Sequence, residues 1–583
     1  MKELLSGNEA VARGAYESGV IVATAYPGTP STEILETIAS RFPEIYAEWS
    51  PNEKVALEVG IGCSFAGGRT LVAMKHVGVN VAADPLFTLS YTGVKGGFVL
   101  ISADDPGMHS SQNEQDNRNY ARFAKVPMLD PSDSQEAKDF VLQALEISEK
   151  FDTPVILRTT TRIAHSKSLV ELGERGEVKP PEGFVKDGRK FVMIPAHGRL
   201  RHVIVEERLE KLKAYSNESP LQKMEMRDEE IGIVTSGISY QYSREVLPNA
   251  SVLKLGIVYP LPEKLIREFA GRVKKLYVVE ELDPFFEEQI RQMGLEVEGI
   301  GKRLGELSPD AVAEFFHDKV EGVEMPPKKG GADMQLPPRP PAMCAGCPHR
   351  SVFYTLKKKK IAVTGDIGCY TLSVLPPLET MDTCVCMGAS IGSAMGIEKA
   401  TGRSDNVVAV IGDSTFVHSG ITGLVDMVYN KSKGTVIILD NDTTAMTGRQ
   451  EHPGTGQTLM GEETTRLNFL ELAKALGIEY VKEVDPYDLD TLESVIDEAV
   501  SLDKLAVIIT NQPCLLLRRD RDPVKAEVDP DVCIGCQLCL KLGCPAISSI
   551  SKDDKKVKID PTLCTGCMVC AEICRSGAIK EMK

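Results

Sequence analysis

The sequence predicts an α/β protein with parallel sheets that ends in a small cysteine-rich domain, and three observations support this. Short apolar runs alternate with helical patterns over most of the 583 residues. These runs end in glycine or polar turns, as buried parallel strands do. Eight cysteines at ligand spacing fill the last segment. The predicted strands are Val20–Ala23, Phe98–Ile101, Pro154–Leu157, Ile231–Val234, Val407–Ile411 and Val436–Leu439.

The tail cysteines occur in two runs that repeat at a spacing of 31 residues. Each iron of a [4Fe–4S] cube takes one thiolate, and a CxxCxxC run supplies three of the four while the fourth comes from the other run. The two predicted ligand sets are Cys533, Cys536, Cys539 and Cys574, and Cys564, Cys567, Cys570 and Cys544. Zinc and disulfides are the alternatives.

Two features of the tail depart from the common bacterial ferredoxin pattern. Four residues separate Cys539 from Cys544, and Cys574 is followed by Arg575, where proline is usual. These departures leave the cluster type open, while the spacing still predicts two clusters and hence electron transfer.

Composition narrows the possible partners and location. The net charge of −16 opposes binding to nucleic acid phosphates. The one notable basic run, 357–360, is interpreted as a solvated helix end. Apolar runs are too short for a bilayer span, the start lacks a signal-peptide pattern, and free thiolates fit a reducing compartment. We therefore expect a cytoplasmic protein that binds neither nucleic acid nor membrane.

Composition shifts divide the chain into six predicted segments. The stretch around 325–341 is too rich in proline and glycine to pack. The segments are an α/β domain at 1–165, a connecting region at 166–228, a smaller α/β domain at 229–322, a linker at 323–342, an α/β domain at 343–522 and the ferredoxin-like tail at 523–583.

Two strands of the 343–522 domain end in residues suited to a metal ion. One ends in Gly412-Asp413-Ser414, and the next ends in Asn441-Asp442-Thr443. Mg²⁺ prefers oxygen ligands, and neighbouring strand ends can supply a carboxylate, an amide oxygen and a carbonyl. Gly412 would let a diphosphate approach the backbone. An acidic helix N-cap is the alternative.

A third cysteine set flanks predicted strand ends of the same domain. Four thiolates there could hold a further cube, whereas separate buried cysteines or a structural zinc are the alternatives. The set is Cys344, Cys347, Cys369 and Cys514. Asp366 and Gly388, at strand–helix turns of this domain, are predicted cofactor contacts. Cys384, Cys386 and Cys63 are interpreted as packing residues, while His418 and His452 stay open between pocket and structural roles.

These motifs together resemble a known family. The strand-end pattern is similar to the thiamin-diphosphate fingerprint, with Ser414 where a glycine is usual. The whole chain resembles the thiamin-diphosphate-dependent 2-oxoacid:ferredoxin oxidoreductases, within them the large subunits that act on indolepyruvate. The matching stretches are YPGTPSTEI at 26–34, EWSPNEKVALEVG at 48–60, KHVGVNVAADP at 75–85, DDPGMHSSQNEQD at 104–116, CAGCPHR at 344–350, TGDIGCY at 364–370 and DTTAMTGRQEHPGTG at 442–456.

The resemblance implies roles in diphosphate binding for five residues. Asp413, Asn441 and the carbonyl of Thr443 would hold Mg²⁺, and Ser414 and Thr447 would bind the diphosphate.

It also implies that the N-terminal domain binds the aminopyrimidine of thiamin diphosphate. Glu53 matches the catalytic glutamate, with Glu58 as its competitor. Thr29 matches a threonine that faces the substrate, with an N-cap for the helix near Ser31 as its alternative role. The segment 229–322 resembles the transketolase C-terminal type of domain.

The activity implied is oxidative decarboxylation of an aryl 2-oxo acid, with coenzyme A receiving the acyl group and ferredoxin the electrons. A smaller β subunit would complete an α2β2 assembly. Two alternatives remain: the same chemistry on another 2-oxo acid, or an electron-transfer module with a degenerate thiamin site.

Overall fold

Parallel strands form the framework of both halves of the chain. The computed structural model describes residues 1–178, 180–181, 183–326, 341–517, 524–551 and 554–582. The chain separates into two compact units, one on each side of residues 327–340, which we call unit 1 and unit 2. The predicted linker falls largely on residues outside the described ranges. All six predicted strands are present, with bounds shifted by a few residues.

Unit 1 is built on two sheets and a small hairpin-like pair. The seven-stranded sheet is parallel except for its first strand, and its spatial order is Ile257–Tyr259, Met128–Leu129, Val155–Thr160, Phe98–Asp104, Thr70–Lys75, Val22–Ala25 and Tyr46–Trp49. The five-stranded order is Glu298–Gly299, Lys275–Val279, Ile231–Thr235, Ser251–Lys254 and Lys223–Glu225. Lys2–Ser6 pairs with Lys167–Glu171.

The helices of unit 1 cover its sheets. They are Gly7–Glu17, Thr32–Arg41, Glu53–Phe65, His76–Val81, Ala83–Thr92, Arg118–Ala124, Ser134–Phe151, Thr161–His165, Gly188–Phe191, Pro195–Glu218, Gly237–Val246, Glu263–Ala270, Phe285–Gln292 and Pro309–Phe316. One hydrophobic core joins residues of both sheets, including Leu100, Met128, Val234 and Val278. The helix Pro195–Glu218 lies within the predicted connecting region 166–228.

A buried ionic network also joins the two sheets of unit 1. Arg118 donates to Asp116 over 2.9 Å and to Glu280 over 2.6 Å. Arg158 donates to Asp104 over 2.7 Å and to Asp130 over 3.1 Å. All of these side chains are buried. The arginines therefore offset carboxylates that would be costly to bury alone.

Unit 2 contains one six-stranded, fully parallel sheet and the cysteine-rich tail. The sheet order is Met381–Cys384, Ala362–Gly365, Val407–Gly412, Gly434–Asp440, Leu505–Asn511 and Tyr480–Val484. Its helices are His349–Lys359, Ala389–Thr401, Asp413–Thr415, the π-helical Phe416–Gly420, Ile421–Tyr429, Phe469–Ala475 and Leu489–Ser501. Strands at 407–412, 434–440 and 505–511 are buried on both faces, which explains their continuous apolar runs.

The tail folds as two antiparallel strand pairs around its cysteines. Ala526–Val528 pairs with Ile579–Glu581, and Ile547–Ser549 pairs with Val557–Ile559. Its apolar residues belong to the same hydrophobic core as Met343, Val352 and Ile508 of the sheet domain. Over the described residues, no helix combines the length and apolar character that a bilayer crossing requires.

Candidate active site and iron–sulfur sites

The predicted metal ligands of unit 2 meet at one edge of its sheet. The three strands that end at Gly412, Asp440 and Asn511 are neighbours and run parallel, so their carboxyl ends share that edge. The amide of Asn441 donates to Asp413 Oδ2 over 3.0 Å. The amide of Cys514 donates to the carbonyl of Asn441 over 2.9 Å. Residues from three separate motifs thus lie side by side.

Asp413 is buried and paired with a histidine. His452 Nε2 lies 3.3 Å from Asp413 Oδ2, and the amide of Ser414 donates to Oδ1 over 2.7 Å. Burial alone would raise the pKa of Asp413, but the nearby charge of His452 holds it below its usual value. Burial alone would lower the pKa of His452, but Asp413 raises it. His452, which the sequence left open, therefore belongs to this site.

A second buried carboxylate makes the site electrostatically suited to a cation. Burial raises the pKa of Asp440 to about 7, and the charges of Asp413 and Asp442 act in the same direction. The half-exposed Arg466 lies 3.7 Å from Asp440. A divalent ion would offset this excess negative charge. The oxygen donors and the carboxylate crowding fit Mg²⁺, so the prediction of a magnesium site stands as a proposal.

Asn441 and Thr443 are held in a tight turn after their strand. The amide of Thr443 donates to Asn441 Oδ1 over 3.3 Å, and Asn441 Nδ2 lies 3.1 Å from His349 Nε2. Burial lowers the pKa of His349 to about 4, so its imidazole is neutral at physiological pH. His349 was not singled out from the sequence, although it stands within the CAGCPHR stretch. It connects the first cysteine pair to the proposed metal turn.

The predicted diphosphate contacts are hydroxyls on the same edge. Thr444 Oγ1 donates to Ser414 Oγ over 2.9 Å, and Thr447 Oγ1 donates to Gln450 Oε1 over 2.5 Å. Gly412 has surroundings that we did not predict. Its amide donates to the Tyr370 hydroxyl over 2.9 Å, and a Cβ there would meet the Tyr370 ring at 2.8 Å. Close packing of Tyr370 therefore accounts for this glycine in the described structure.

Asp366 and Gly388 meet at the start of the helix Ala389–Thr401. Asp366 is fully buried, and its carboxylate accepts from the amide of Ser390 over 3.0 Å. Burial raises its pKa to about 6. Gly388 has a positive φ of 88°, and a Cβ there would meet Ser419 at 2.6 Å. The helix start at Gly388, a predicted cofactor contact, thus already has an anionic partner in Asp366.

The four cysteines of the third set lie near one another in unit 2. Besides burial, Cys514 and Cys344 help to raise the pKa of Cys369, and Cys369 and Cys344 help to raise the pKa of Cys347. Burial raises the pKa of Cys347 to about 12 and that of Cys369 to about 11. The sheet therefore brings together residues that are far apart in sequence, which one shared cube requires.

Each predicted tail set surrounds its own cavity. One cavity is lined by Cys544, Cys564, Cys567 and Cys570, and the other by Cys533, Cys536, Cys539 and Cys574. These are the two crossed-over sets that the sequence predicted. In the described residues, no group of three or more His, Cys, Asp or Glu side chains is arranged to hold a single metal ion. A cube differs from such a site because each thiolate binds a different iron.

The remaining cysteines differ from one another in exposure. Cys384 and Cys386 are both exposed at the carboxyl end of Met381–Cys384, so the prediction that they are packing residues is wrong. The reason is that this strand is the edge of its sheet. Cys63 is half-buried, and burial raises its pKa to about 11, as expected for an unreactive packing thiol.

In unit 1, Glu53 and Glu58 differ sharply in their surroundings. Asn52 caps the helix Glu53–Phe65 by accepting from Val55, which fixes Glu53 at the first helical position. Glu53 is 7% exposed, and a Cβ at Gly78 would meet its Cγ at 2.6 Å. The glycine therefore leaves room for this carboxylate. Glu58 is exposed and pairs with Lys54.

Thr29 lies beside two other matched stretches of unit 1. Ser110 Oγ donates to the carbonyl of Thr29 over 3.2 Å, and Lys75 Nζ donates to the carbonyl of Ser110 over 2.5 Å. Burial lowers the pKa of Lys75 to about 8. The N-cap of the helix Thr32–Arg41 is Ser31, so the alternative role of Thr29 as N-cap is wrong.

Comparisons with known proteins agree with this arrangement. Residues 13–220 match the family model described as pyruvate flavodoxin/ferredoxin oxidoreductase, thiamine diP-binding. Residues 366–510 match the C-terminal TPP-binding domain of thiamine pyrophosphate enzymes, and residues 525–575 match the 4Fe-4S dicluster domain. Fold and matches together define a thiamin-diphosphate-dependent iron–sulfur oxidoreductase that acts on 2-oxo acids.

Curated relatives narrow this class. The indolepyruvate oxidoreductase subunit IorA of Archaeoglobus fulgidus is 43% identical over 100% of this chain and 98% of its own length. The subunit of the same name from Pyrococcus horikoshii is 41% identical over 94% of this chain and 92% of its own length. The chain belongs to the family of indolepyruvate oxidoreductase subunits IorA, which confirms the resemblance drawn from its motifs.

One solved structure completes the comparison. The 2-oxoglutarate:ferredoxin oxidoreductase from Magnetococcus marinus aligns with 54% of this chain and 65% of its own at 16% identity and a TM-score of 0.45. At that score the alignment carries no argument.

Proposed function

We propose that the chain is the thiamin- and cluster-bearing subunit of an enzyme that oxidatively decarboxylates aryl 2-oxo acids, with indolepyruvate as the leading substrate. Coenzyme A receives the acyl group and ferredoxin receives the electrons. A smaller β subunit completes the enzyme in an α2β2 assembly. The names of the relatives support the substrate, and the two thiamin-binding matches support the chemistry.

The observation that carries this proposal is the position of Cys514. Its amide donates to the carbonyl of Asn441, and Asp413 helps burial to raise the pKa of its thiol, so one cysteine of the third set borders the proposed metal turn. Clusters accept one electron at a time and must lie close to the donor. A third cube held by Cys344, Cys347, Cys369 and Cys514 would meet that requirement.

Thiamin diphosphate, when bound, stabilises the negative charge that decarboxylation leaves on the substrate carbon. Asp413, Asn441 and the carbonyl of Thr443 hold Mg²⁺, and Ser414 and Thr447 hold the diphosphate. Glu53 is the proposed proton-exchanging carboxylate, because it is buried against Gly78 whereas Glu58 is solvated. Thr29 orients the substrate.

The tail supplies two further proposed cluster sites, and their surroundings differ. Cys347 lines the cavity of the Cys544, Cys564, Cys567 and Cys570 set, so we call that set the inner site. The set of Cys533, Cys536, Cys539 and Cys574 includes the exposed Cys536 and is called the outer site. The third set and these two sets would each hold one cluster, and such clusters would supply one-electron transfer towards ferredoxin.

The main test measures ferredoxin reduction by the anaerobically purified complex with its β subunit. Indolepyruvate, phenylpyruvate, pyruvate and 2-oxoglutarate are each supplied with coenzyme A. We expect the highest kcat/KM with an aryl substrate and no turnover without coenzyme A. Highest kcat/KM with pyruvate or 2-oxoglutarate would reject the aryl assignment. Absence of reduction with all four would reject the proposed reaction.

A matched pair of cysteine variants tests the third cube. Cys514→Ser should lose about four of about twelve irons, because each [4Fe–4S] cube holds four. Cys386→Ser removes an exposed thiol of the same sheet edge and should keep the full iron content. Iron and sulfide analysis with electron paramagnetic resonance measures both. Equal iron in the two variants would contradict a cube at Cys514.

A further inference from the structure

Arg350 connects the third cysteine set to the tail through four backbone carbonyls. Its Nε donates to the carbonyl of Cys344 over 2.9 Å, and Nη2 donates to the carbonyl of Met343. Its Nη1 donates to the carbonyls of Gly543 over 2.6 Å and Leu542 over 3.3 Å. One planar guanidinium thus holds the loop of the first cysteine pair and the loop that leads into Cys544.

The surroundings leave little freedom for this side chain. Arg350 is 4% exposed and is the second residue of the helix His349–Lys359, three residues after Cys347. Gly543 has a φ of 70°, and a Cβ there would lie 3.1 Å from Arg350 Nη1 and 2.9 Å from Pro377. Any larger residue would push the guanidinium away, which explains glycine before Cys544.

Arg350 is also a buried positive charge between two groups of thiols. It lines the cavity of the inner site together with Cys347. Burial lowers the pKa of the Arg350 guanidinium, while Cys347 and Cys344 on one side and Cys544 and Cys567 on the other act to raise it. In a poorly solvated interior such a charge is screened less than at the surface. A cluster gains negative charge on reduction, so a nearby cation favours its reduced form.

We propose that Arg350 is a positioning residue that fixes the separation of the third cube and the inner cube and, through its charge, makes both easier to reduce. This inference rests on the proposed function, because the third cube is itself a proposal. Arg350 takes no part in the chemistry on the substrate. Its role is to set the first step between clusters, a task that a lysine could share in charge but not in geometry.

Redox titration followed by electron paramagnetic resonance tests the proposal on the full complex. In Arg350→Met, the ratio of reduced to oxidised cluster at a fixed potential should fall about tenfold for both cubes, which is 59 mV for a one-electron couple. Arg350→Lys should restore that ratio to within about threefold, because it keeps the charge. A lysine ammonium cannot bind the four carbonyls in the geometry of the guanidinium. The distance between the two reduced cubes should therefore change in Arg350→Lys, and with it the magnetic splitting, which depends on that distance.

The control is Arg575→Met, which removes an exposed arginine next to Cys574 of the outer site. Solvent screens that charge, so both ratios should stay within about twofold of the wild-type values. Unchanged ratios in an Arg350→Met protein with full iron would overturn the role of the charge, as would equal shifts in the Lys and Met variants. An unchanged splitting in Arg350→Lys would overturn the positioning role.

Iron content covers the case in which variants do not assemble. Loss of iron confined to the third and inner sites, with the paramagnetic signal of the outer cluster retained, supports the positioning role of Arg350. Uniform loss from all three sites would overturn it. If the wild-type complex itself lacks the third signal, the proposed function fails at that point, the positioning role fails with it, and an unchanged ratio for the inner cube in Arg350→Met would also overturn the role of the charge.

Discussion

Units 1 and 2 bury negative charge in different ways. In unit 1, Arg118 and Arg158 each bridge two buried carboxylates, so the protein supplies its own cations. In unit 2, Asp413 and Asp440 share one edge with His452 and the half-exposed Arg466. The difference indicates a structural network in the first unit and, in the second, an arrangement that fits the proposed magnesium site.

Removal of an arginine from the unit 1 network should have the largest effect. Arg118→Met leaves Asp116 and Glu280 buried without their partner, and we expect a loss of about 3–5 kcal/mol in the free energy of unfolding. Urea denaturation measures it. Arg122→Met, an exposed arginine on the same helix, should change stability by less than about 0.5 kcal/mol. Similar losses in the two variants would break the comparison.

Binding of the proposed cofactor and its metal ion should stabilise the protein by the next largest amount. At 100 times the dissociation constant, thiamin diphosphate with Mg²⁺ should raise the free energy of unfolding by about 2.7 kcal/mol. Asp413→Ala should abolish this gain because it removes the proposed metal ligand. Asp405→Ala, which changes an exposed aspartate paired with Arg403, should keep it. Calorimetry with and without thiamin diphosphate and Mg²⁺ measures this increase in the free energy of unfolding. An undiminished increase in Asp413→Ala would refute the magnesium site.

The buried carboxyl groups of unit 1 should make the stability of the protein depend on pH. Burial raises the pKa of Asp104, Glu280 and Glu281 to about 7. The folded state therefore binds more protons than the unfolded state between about pH 4 and 7, and stability should fall as the pH rises through that window. Glu281→Gln keeps an oxygen for the amide of Leu307 and removes one such proton. It should stabilise the protein at pH 8 by about 1–3 kcal/mol. A urea midpoint independent of pH would contradict this.

An exposed pair should show the smallest effect. Glu58→Gln breaks the surface pair with Lys54 and should cost less than about 0.5 kcal/mol. Ferredoxin reduction should be retained, because the solvated Glu58 is not the proposed proton-exchanging group. Glu53→Gln should lose more than about a hundredfold in kcat. If the Glu58 variant instead loses activity and the Glu53 variant keeps it, the two roles must be exchanged.

Local patterns predicted the strands and the tail well. Apolar runs such as Val407–Ile411 mark strands because both faces are buried, and CxxCxxC spacing is short enough to be read along the chain. The rule that parallel strands end at a common edge applies to Cys369 and Cys514, which follow strands of the sheet. Cys344 and Cys347 instead precede the helix His349–Lys359, so the prediction that they flank a strand end is wrong.

Contacts formed by packing could not be predicted in this way. The ring of Tyr370 over Gly412, the pairing of Asp413 with His452 and the carbonyl contacts of Arg350 each join residues far apart in sequence. The exposure of Cys384 and Cys386 depends on which strand lies at the sheet edge, which periodicity does not show. Only the matched stretch CAGCPHR gave a signal for His349 and Arg350.

Cys533, Cys539 and Cys570 belong to the same hydrophobic core as Val352 and Ile508 of the sheet domain. Cluster binding should therefore also stabilise the neighbouring sheet, because ligation of iron would fix cysteine side chains that form part of the shared hydrophobic core. A cell short of iron would accumulate a protein weakened around its thiamin-binding edge as well as in its electron carriers. The supply of iron would then determine what fraction of the thiamin-binding sheet domain folds.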